Sequence, residues 1–223
     1  MGISRTFHFN QPWATDASAK IHDRLRNSYN SKNSNSTWAI VCRLYLQAKP
    51  DPAIPTTKAK HLYILNSSDA ASAYSLLVDA NLNRSAFVKA GGELEAILGK
   101  LKQNWVSRQV IRIDGLVYKI PNSSVVVKLG TLTIGTMSKG VLLEITVENT
   151  NDESAAVQQI RQLLQKLFSE ILGYSTLNVG NLVASQVDFG DVEWLKADSE
   201  DEEELADSRS YYTLMSLCNQ LLL

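Results

Sequence analysis

An α+β fold, with antiparallel strands flanked by helices, is the class this sequence predicts. Two observations carry it. Several runs place an apolar residue at every second position and are joined by short turn-forming stretches, which allow neighbouring strands to pair only antiparallel. Apolar residues at three- and four-residue spacing appear in separate segments before, between and after those runs, so strands are grouped rather than alternated with helices. At 223 residues the chain is long enough to bury a proper core.

Ile3 to Phe9 reads as a first strand, and Thr15 or Asp16 can cap a helix with Ala17, Ile21 and Leu25 along one face. The polar stretch Asn27 to Ser36 ends that helix. Thr37 to Leu46 then puts Trp38, Ile40, Cys42, Leu44 and Leu46 on one side, the pattern of a half-buried strand. Prolines between Pro50 and Pro55 make a surface loop, because proline lacks the donor a ladder needs. His61 to Leu65 and Ala73 to Asp79 form a hairpin around Asn66, Ser67, Ser68 and Asp69, and Phe87 and Val88 add a short fourth strand. From Glu93 the spacing becomes helical through Leu94, Ile97, Leu98, Leu101 and Trp105, with Gly91 and Gly92 at its entrance.

Val106 to Ile113 and Leu116 to Ile120 flank Asp114-Gly115, a pair that favours a two-residue hairpin turn. Val125 to Ile134 is apolar on both faces and is predicted to be a central strand. Val141, Leu143, Ile145 and Val147 alternate with Glu144 and Glu148, which predicts one wet face. Val157, Ile160, Leu164, Leu167, Phe168 and Ile171, widened by Leu163 and Leu172, make a helical stripe that stops at Gly173. Residues 174–202 read as a loop and acidic linker with one short strand near Leu182 to Val187. A last helix spans about Glu203 to Leu222, and the whole, 1–223, is expected to be a single domain. The element order hints at two similar halves starting near 15 and 91, without any residue-level repeat.

With 44% hydrophobic and 20% charged residues, composition argues against wholesale disorder or a fibrous repeat. No apolar run approaches the roughly 18 residues of a membrane span, and the first ten residues lack a signal-peptide pattern. The glycosylation triplets beginning at Asn35, Asn66, Asn83 and Asn122 therefore read as ordinary turns. Cys42 and Cys218 sit at apolar positions far apart, as buried free thiols do, which points to a reducing compartment, cytosol or nucleus. Residues 1–120 hold 16 Lys+Arg against 8 Asp+Glu, and 181–223 hold 2 against 10. The basic residues are scattered, with no aromatic-and-basic groove motif, so direct nucleic-acid binding is not expected.

His8, His22 and His61 have no partner at ligand spacing, neither cysteine has a second nearby, and no nucleophile elbow is present. Gly130, Gly135 and Thr136 have the glycine spacing of a phosphate-binding loop. Thr136 stands where the lysine belongs, however, and Thr131 to Ile134 has strand chemistry. The reading is no catalytic site, no cofactor site and no metal. Acidic residues from Asp198 to Glu204 suit either a lure for a basic partner or the start of a helix, whose dipole they oppose. In the last helix Tyr211, Leu214, Met215, Cys218, Leu221 and Leu222 share one face, with Thr213, Ser216, Asn219 and Gln220 on the other. That stripe must be buried, either on the chain's own sheet or in a partner, and it is the candidate partner interface. On the residues alone two classes stay open: an assembly subunit, and a small-molecule-binding or hydrolytic enzyme with an unrecognised site.

A resemblance narrows the choice. Leu101, Trp105, Arg108-Gln109 and Tyr118, then Val127-Lys128-Leu129-Gly130-Thr131-Leu132-Thr133 followed by Lys139-Gly140-Val141-Leu142-Leu143-Glu144-Ile145, are similar to the family of subunit 20 of Mediator, the RNA polymerase II coactivator. The length, the beginning at Met1-Gly2 and the tyrosine-bearing last helix also resemble that family. The resemblance implies an antiparallel sheet curled toward a barrel, distantly like the TATA-binding protein, and a non-enzymatic subunit of the Mediator head module in the nucleus. It further implies a heterodimer with Mediator subunit 18, a tether through subunit 8, and contacts to the TATA-binding protein and the RNA polymerase II machinery.

Overall fold

A computed structural model of the chain describes residues 2–9, 14–27, 29, 33–48, 59–79, 84–101, 104–150, 152–168, 183–184, 192–194 and 202–222. The elements run β1 (Ile3–Phe9), α1 (Ala14–Asn27), β2 (Asn33–Gln47), β3 (His61–Ser67), β4 (Ala73–Asp79), β5 (Arg84–Ala90) and α2 (Leu94–Lys100). They continue β6 (Trp105–Lys119), β7 (Val125–Ile134), β8 (Met137–Val147), α3 (Glu153–Phe168), β9 (Val183–Ala184), β10 (Val192–Trp194) and α4 (Glu202–Leu222). Hydrogen-bonded strands follow the order β10-β5-β4-β3-β2-β6-β7-β8-β1-β9. Pairing is antiparallel for β1 with β8 and β9, along β2-β3-β4-β5, and between β7 and β8, while β10 joins β5 in parallel. The class is α+β, as the grouped strands and helices predict.

Two compact units divide the chain, Met1–Ala39 with Ile113–Gln186 and Ile40–Arg112 with Val187–Leu223. They are not sequential halves starting near 15 and 91, because the boundary falls inside β2 and β6. In the first unit α1 and α3 lay their apolar stripes on one face of β1, β7 and β8. Ile21 and Leu25 meet Ile160, Leu164, Leu167 and Phe168 over Phe7, Val127, Leu129, Leu143 and Ile145. The start of α3 is fixed by Asp152, whose Oδ1 accepts the Ala155 amide at 3.1 Å, satisfying a donor that a helix leaves unpaired. In the second unit α4 packs on β3 and β4. A separate cluster of Tyr45, Ile64, Ala73 and Leu98, with Leu62, Leu94 and Trp105 against it, seats α2.

Several boundaries differ from expectation, each for a local reason. Asp114-Gly115 makes no hairpin; it lies mid-strand in β6, which runs unbroken through it. A Cβ at Gly115 would lie 2.2 Å from the Leu129 carbonyl oxygen, and one at Gly130 would lie 2.9 Å from the Ile113 side chain. The glycine is there for close backbone approach between neighbouring strands, the other use of glycine in a strand. The true β6–β7 turn is Pro121 to Ser124, with Asn122 at φ 57° and the Ile120 amide bonded to the Val125 carbonyl at 3.0 Å. β8 has no wet face across its middle, since Leu142 and Glu144 are buried beside their alternating neighbours. Glu144 tolerates this because Lys128, directly opposite on β7, binds it at 3.2 Å. α2 stops at Lys100, so Trp105 begins a strand rather than ending a helix. Asn35 lies inside β2, not in a turn, and β5 is a full seven-residue strand. The Pro50 to Pro55 loop, the Gly173 helix stop, and the interval 174–201 apart from β9 and β10 lie outside the described residues.

Candidate interaction surface

α4 carries every residue of the predicted partner interface, and the second unit already uses much of it. Leu214, Met215 and Cys218 are buried, joined by Tyr212 and Leu217, whereas Leu221 and Leu222 stay half-buried at the end of the helix. The buried arc is therefore wider than the stripe read from spacing, which omitted Tyr212 and Leu217. Tyr211 stacks on Tyr74 of β4 at 4.3 Å, and its hydroxyl donates to Asp69 Oδ1 at 3.1 Å. Tyr212 meets Phe87 edge-on at 5.5 Å. Asn219, assigned to the polar face, accepts a hydrogen bond at 2.5 Å from the buried Tyr63 hydroxyl. Burial raises the Tyr211 and Tyr63 hydroxyls well above the ordinary phenol range, so both donate and neither ionises at neutral pH.

Cys42 of β2 and Cys218 of α4, distant in sequence, are brought into a side-chain hydrogen bond. That bond and burial together push the Cys42 thiol up, which leaves it a packed hydrophobe rather than a nucleophile. The three histidines are dispersed. His8 Nε2 is buried without a hydrogen-bond partner, His22 Nδ1 lies 2.5 Å from the Tyr118 hydroxyl, and His61 meets Tyr63 edge-on at 6.4 Å. Burial lowers the pKa of His8 and, aided by Arg26, that of His22. Among the described residues no group of three or more His, Cys, Asp or Glu is placed to hold a metal ion, and no helix is long and apolar enough to cross a membrane.

The glycine pair with phosphate-loop spacing is structural as well. Gly130 sits inside β7, and Gly135 at φ 61° opens the two-residue turn with Thr136 that joins β7 to β8. Lys128, on the same strand as Gly130, points over Trp38 with its Nζ 5.7 Å from the ring, so it is engaged by both Glu144 and an aromatic face. Charges in the second unit are paired in the same manner: Arg43 with Glu95 at 3.0 Å and Lys60 with Asp79 at 2.9 Å. Sequence reasoning could not find these partners, because they are distant in sequence and meet only through strand pairing or, for Arg43 and Glu95, through the seating of α2 on the sheet.

The geometry defines the class as an α+β protein in which the last described helix closes the face of β3 and β4. The family is specific: a family model described as the TATA-binding related factor of subunit 20 of the Mediator complex matches residues 1–203, and the chain belongs to that family. Most of α4, including all six predicted interface residues, lies beyond the match. No curated protein matches the sequence significantly. Among solved structures, one from the Schizosaccharomyces pombe Mediator head module shares 12% identity, covering 77% of this chain and 94% of that one, with a TM-score of 0.35. A Pyrococcus horikoshii protein shares 16% identity over 75% of this chain and 90% of that one, with a TM-score of 0.41. A Hippeastrum protein described as a putative adenylyl cyclase with a dominant triphosphatase activity shares 12%, over 75% and 88%, with a TM-score of 0.45.

Proposed function

We propose that this chain is a non-enzymatic, protein-binding subunit of the Mediator head module, acting in the nucleus as the heterodimer partner of Mediator subunit 18. The family match over residues 1–203 carries the reading. Subunit 8 tethers the pair to the rest of the module, and contacts to the TATA-binding protein and the RNA polymerase II machinery are made from within the assembly. α4 supports subunit 18 binding in two ways. Tyr211, Leu214, Met215 and Cys218 close the face of β3 and β4, and the half-buried Leu221 and Leu222 are left to complete their burial on the partner.

The test is coexpression with affinity-tagged subunit 18. The full chain is expected to copurify at equal stoichiometry. The double substitution Leu221→Ser with Leu222→Ser is expected to fold normally and to lose at least about tenfold in affinity, as removal of apolar anchors does. Failure of the full chain to copurify with subunit 18, with or without subunit 8, overturns the heterodimer. Unchanged binding by the double variant removes the end of α4 from the interface.

A further inference from the structure

Both cysteines of the sequence lie buried in the second unit, on elements that only the fold brings together. Register shows how. In the pairing of β2 with β3, Cys42 stands opposite Leu65 and Leu44 opposite Tyr63. Directly opposed residues, and residues two apart on one strand, share a face, so these four side chains leave the sheet on the same side. That side is the one α4 covers: the Tyr63 hydroxyl donates to Asn219 Oδ1 at 2.5 Å, and Cys218 is the residue before Asn219. The intervening Ile64 and Tyr45 turn the other way, into the cluster that seats α2. Cys42 and Cys218 therefore meet under the helix, thiol to thiol, in a side-chain hydrogen bond. Burial raises the Tyr63 hydroxyl most and both thiols raise it further, as two sulfurs beside one phenol do.

Such a pair is close to a disulfide already, since the sulfurs need only move from hydrogen-bond contact to the bonded distance of about 2 Å. What they lack while α4 is closed is access: Cys42 is 0% exposed and Cys218 1%. The end of α4 supplies it. Cys218 lies in the last turn before the helix ends at Leu222, and around it Asn219, Leu221 and Leu222 are half-buried and Gln220 is exposed. The carbonyls of a last turn have no helical partner, so this turn opens far more often than the chain unfolds. β2, in contrast, is paired with β3 along Ile40 to Leu46 and stays in place. Opening uncovers Cys218, and closing returns it to Cys42.

We propose that Cys42 and Cys218 are a redox modification site, at which hydrogen peroxide forms an intrachain disulfide that staples α4 to β2. Cys218, uncovered with its turn, loses its proton, and its sulfur attacks one peroxide oxygen. The O–O bond breaks, hydroxide leaves and takes up that proton as water, and Cys218 becomes a sulfenic acid. When the helix recloses, the Cys42 sulfur attacks the sulfenic sulfur. The S–S bond forms as the S–O bond breaks, and the departing hydroxide carries the Cys42 proton away as a second water. Two electrons pass from the sulfur pair to the peroxide, so two thiols and one peroxide give one disulfide and two waters. The inference concerns how α4 is held, and it stands whether or not the chain binds subunit 18.

The full chain, reduced and freed of reductant, is treated with hydrogen peroxide in slight excess, and its peptides are mapped by mass spectrometry. One cross-linked pair is expected, Cys42 with Cys218, in a monomer lighter by two hydrogens, and dithiothreitol is expected to restore both thiols. Amide exchange from Tyr211 to Leu222 is expected to slow at least about tenfold, because the staple removes the independent opening of the helix end. The melting temperature is expected to rise by at least about 5 °C, since the bridge closes a long loop in the unfolded chain. Cys218→Ala is expected to show neither change after the same treatment. Two cysteines still free when the exposed Met137 has become a sulfoxide overturn the site, because peroxide has then reached the protein without bridging them. Oxidation of either cysteine beyond the sulfenic acid without a cross-link, a bridge between two chains, or slowed α4 exchange in Cys218→Ala overturns it as well.

Discussion

Gly115 and Gly135 show that one residue type serves two purposes in this chain. Gly135 has φ 61° and open space around an added Cβ, so Gly135→Ala is expected to cost about 1 kcal/mol, the price of a left-handed alanine. Gly115 has no such φ, but an added Cβ would meet the neighbouring backbone at 2.2 Å, and backbone cannot move aside as a side chain does. Gly115→Ala is therefore expected to cost at least about 3 kcal/mol, at the upper end of overpacking penalties, measured by denaturant unfolding of both variants. Equal losses would contradict the strand assignment of Asp114-Gly115. Leu132, fully buried on β7, is expected to lose about 2 to 5 kcal/mol as Leu132→Ala. His8 and His22 set a pH dependence. Both have folded pKa values depressed below 6.5, so the unfolded chain binds more protons in the window beneath that value. Their contribution is complete above about pH 6.5 and is lost as pH falls through the depressed values. His8→Leu is expected to flatten the stability profile below about pH 6.5 relative to wild type. A parallel profile would show that the buried Nε2 does not titrate with unfolding.

At the scale of elements, legibility followed how local the signal was. β7 and β4 were read to the residue, and α4 to within one, because an unbroken apolar run or stripe bounded by turn residues leaves little choice of boundary. The β6 hairpin was misread because Asp-Gly has the same letters whether the glycine supplies a turn or a close approach, and only the Leu129 backbone opposite distinguishes them. Glu144 looked like a solvent marker since its lysine partner sits sixteen positions away, across a strand pair. The α4 stripe was legible, but what covers it was not: spacing shows that a face is buried and is silent about against what. Tyr74, Phe87 and Tyr63 supply the answer on the side facing β3 and β4. Met215→Ala is accordingly expected to lose about 2 to 5 kcal/mol in the isolated chain, with no partner present. A loss below about 0.5 kcal/mol, typical of surface changes, would mean that α4 is held only in a complex.

For the whole molecule, the expectation of a single domain meets a chain with two compact units. The boundary between them falls at Ala39/Ile40 within β2 and at Arg112/Ile113 within β6, and each unit draws on chain segments from both sides of the other. Neither unit can be excised without cutting two strands, and the family match from 1 to 203 takes in parts of both. A strand that crosses a boundary transmits loss of order along its own backbone, since its ladder on one side fixes the dihedrals from which the other side continues. We therefore expect the chain to unfold as one cooperative domain. Trp38 reports on the first unit, where it is buried under Lys128, and Trp105 on the second, where it packs against the cluster around Leu98. In variants that keep Trp38 or Trp105 as the single tryptophan of the four in the sequence, fluorescence-detected denaturation is expected to give coincident midpoints and equal slopes for both probes. Midpoints separated by more than about 0.5 M urea, well outside the scatter of such measurements, would mean that the units melt independently and that the strands shared between them fray at the boundary.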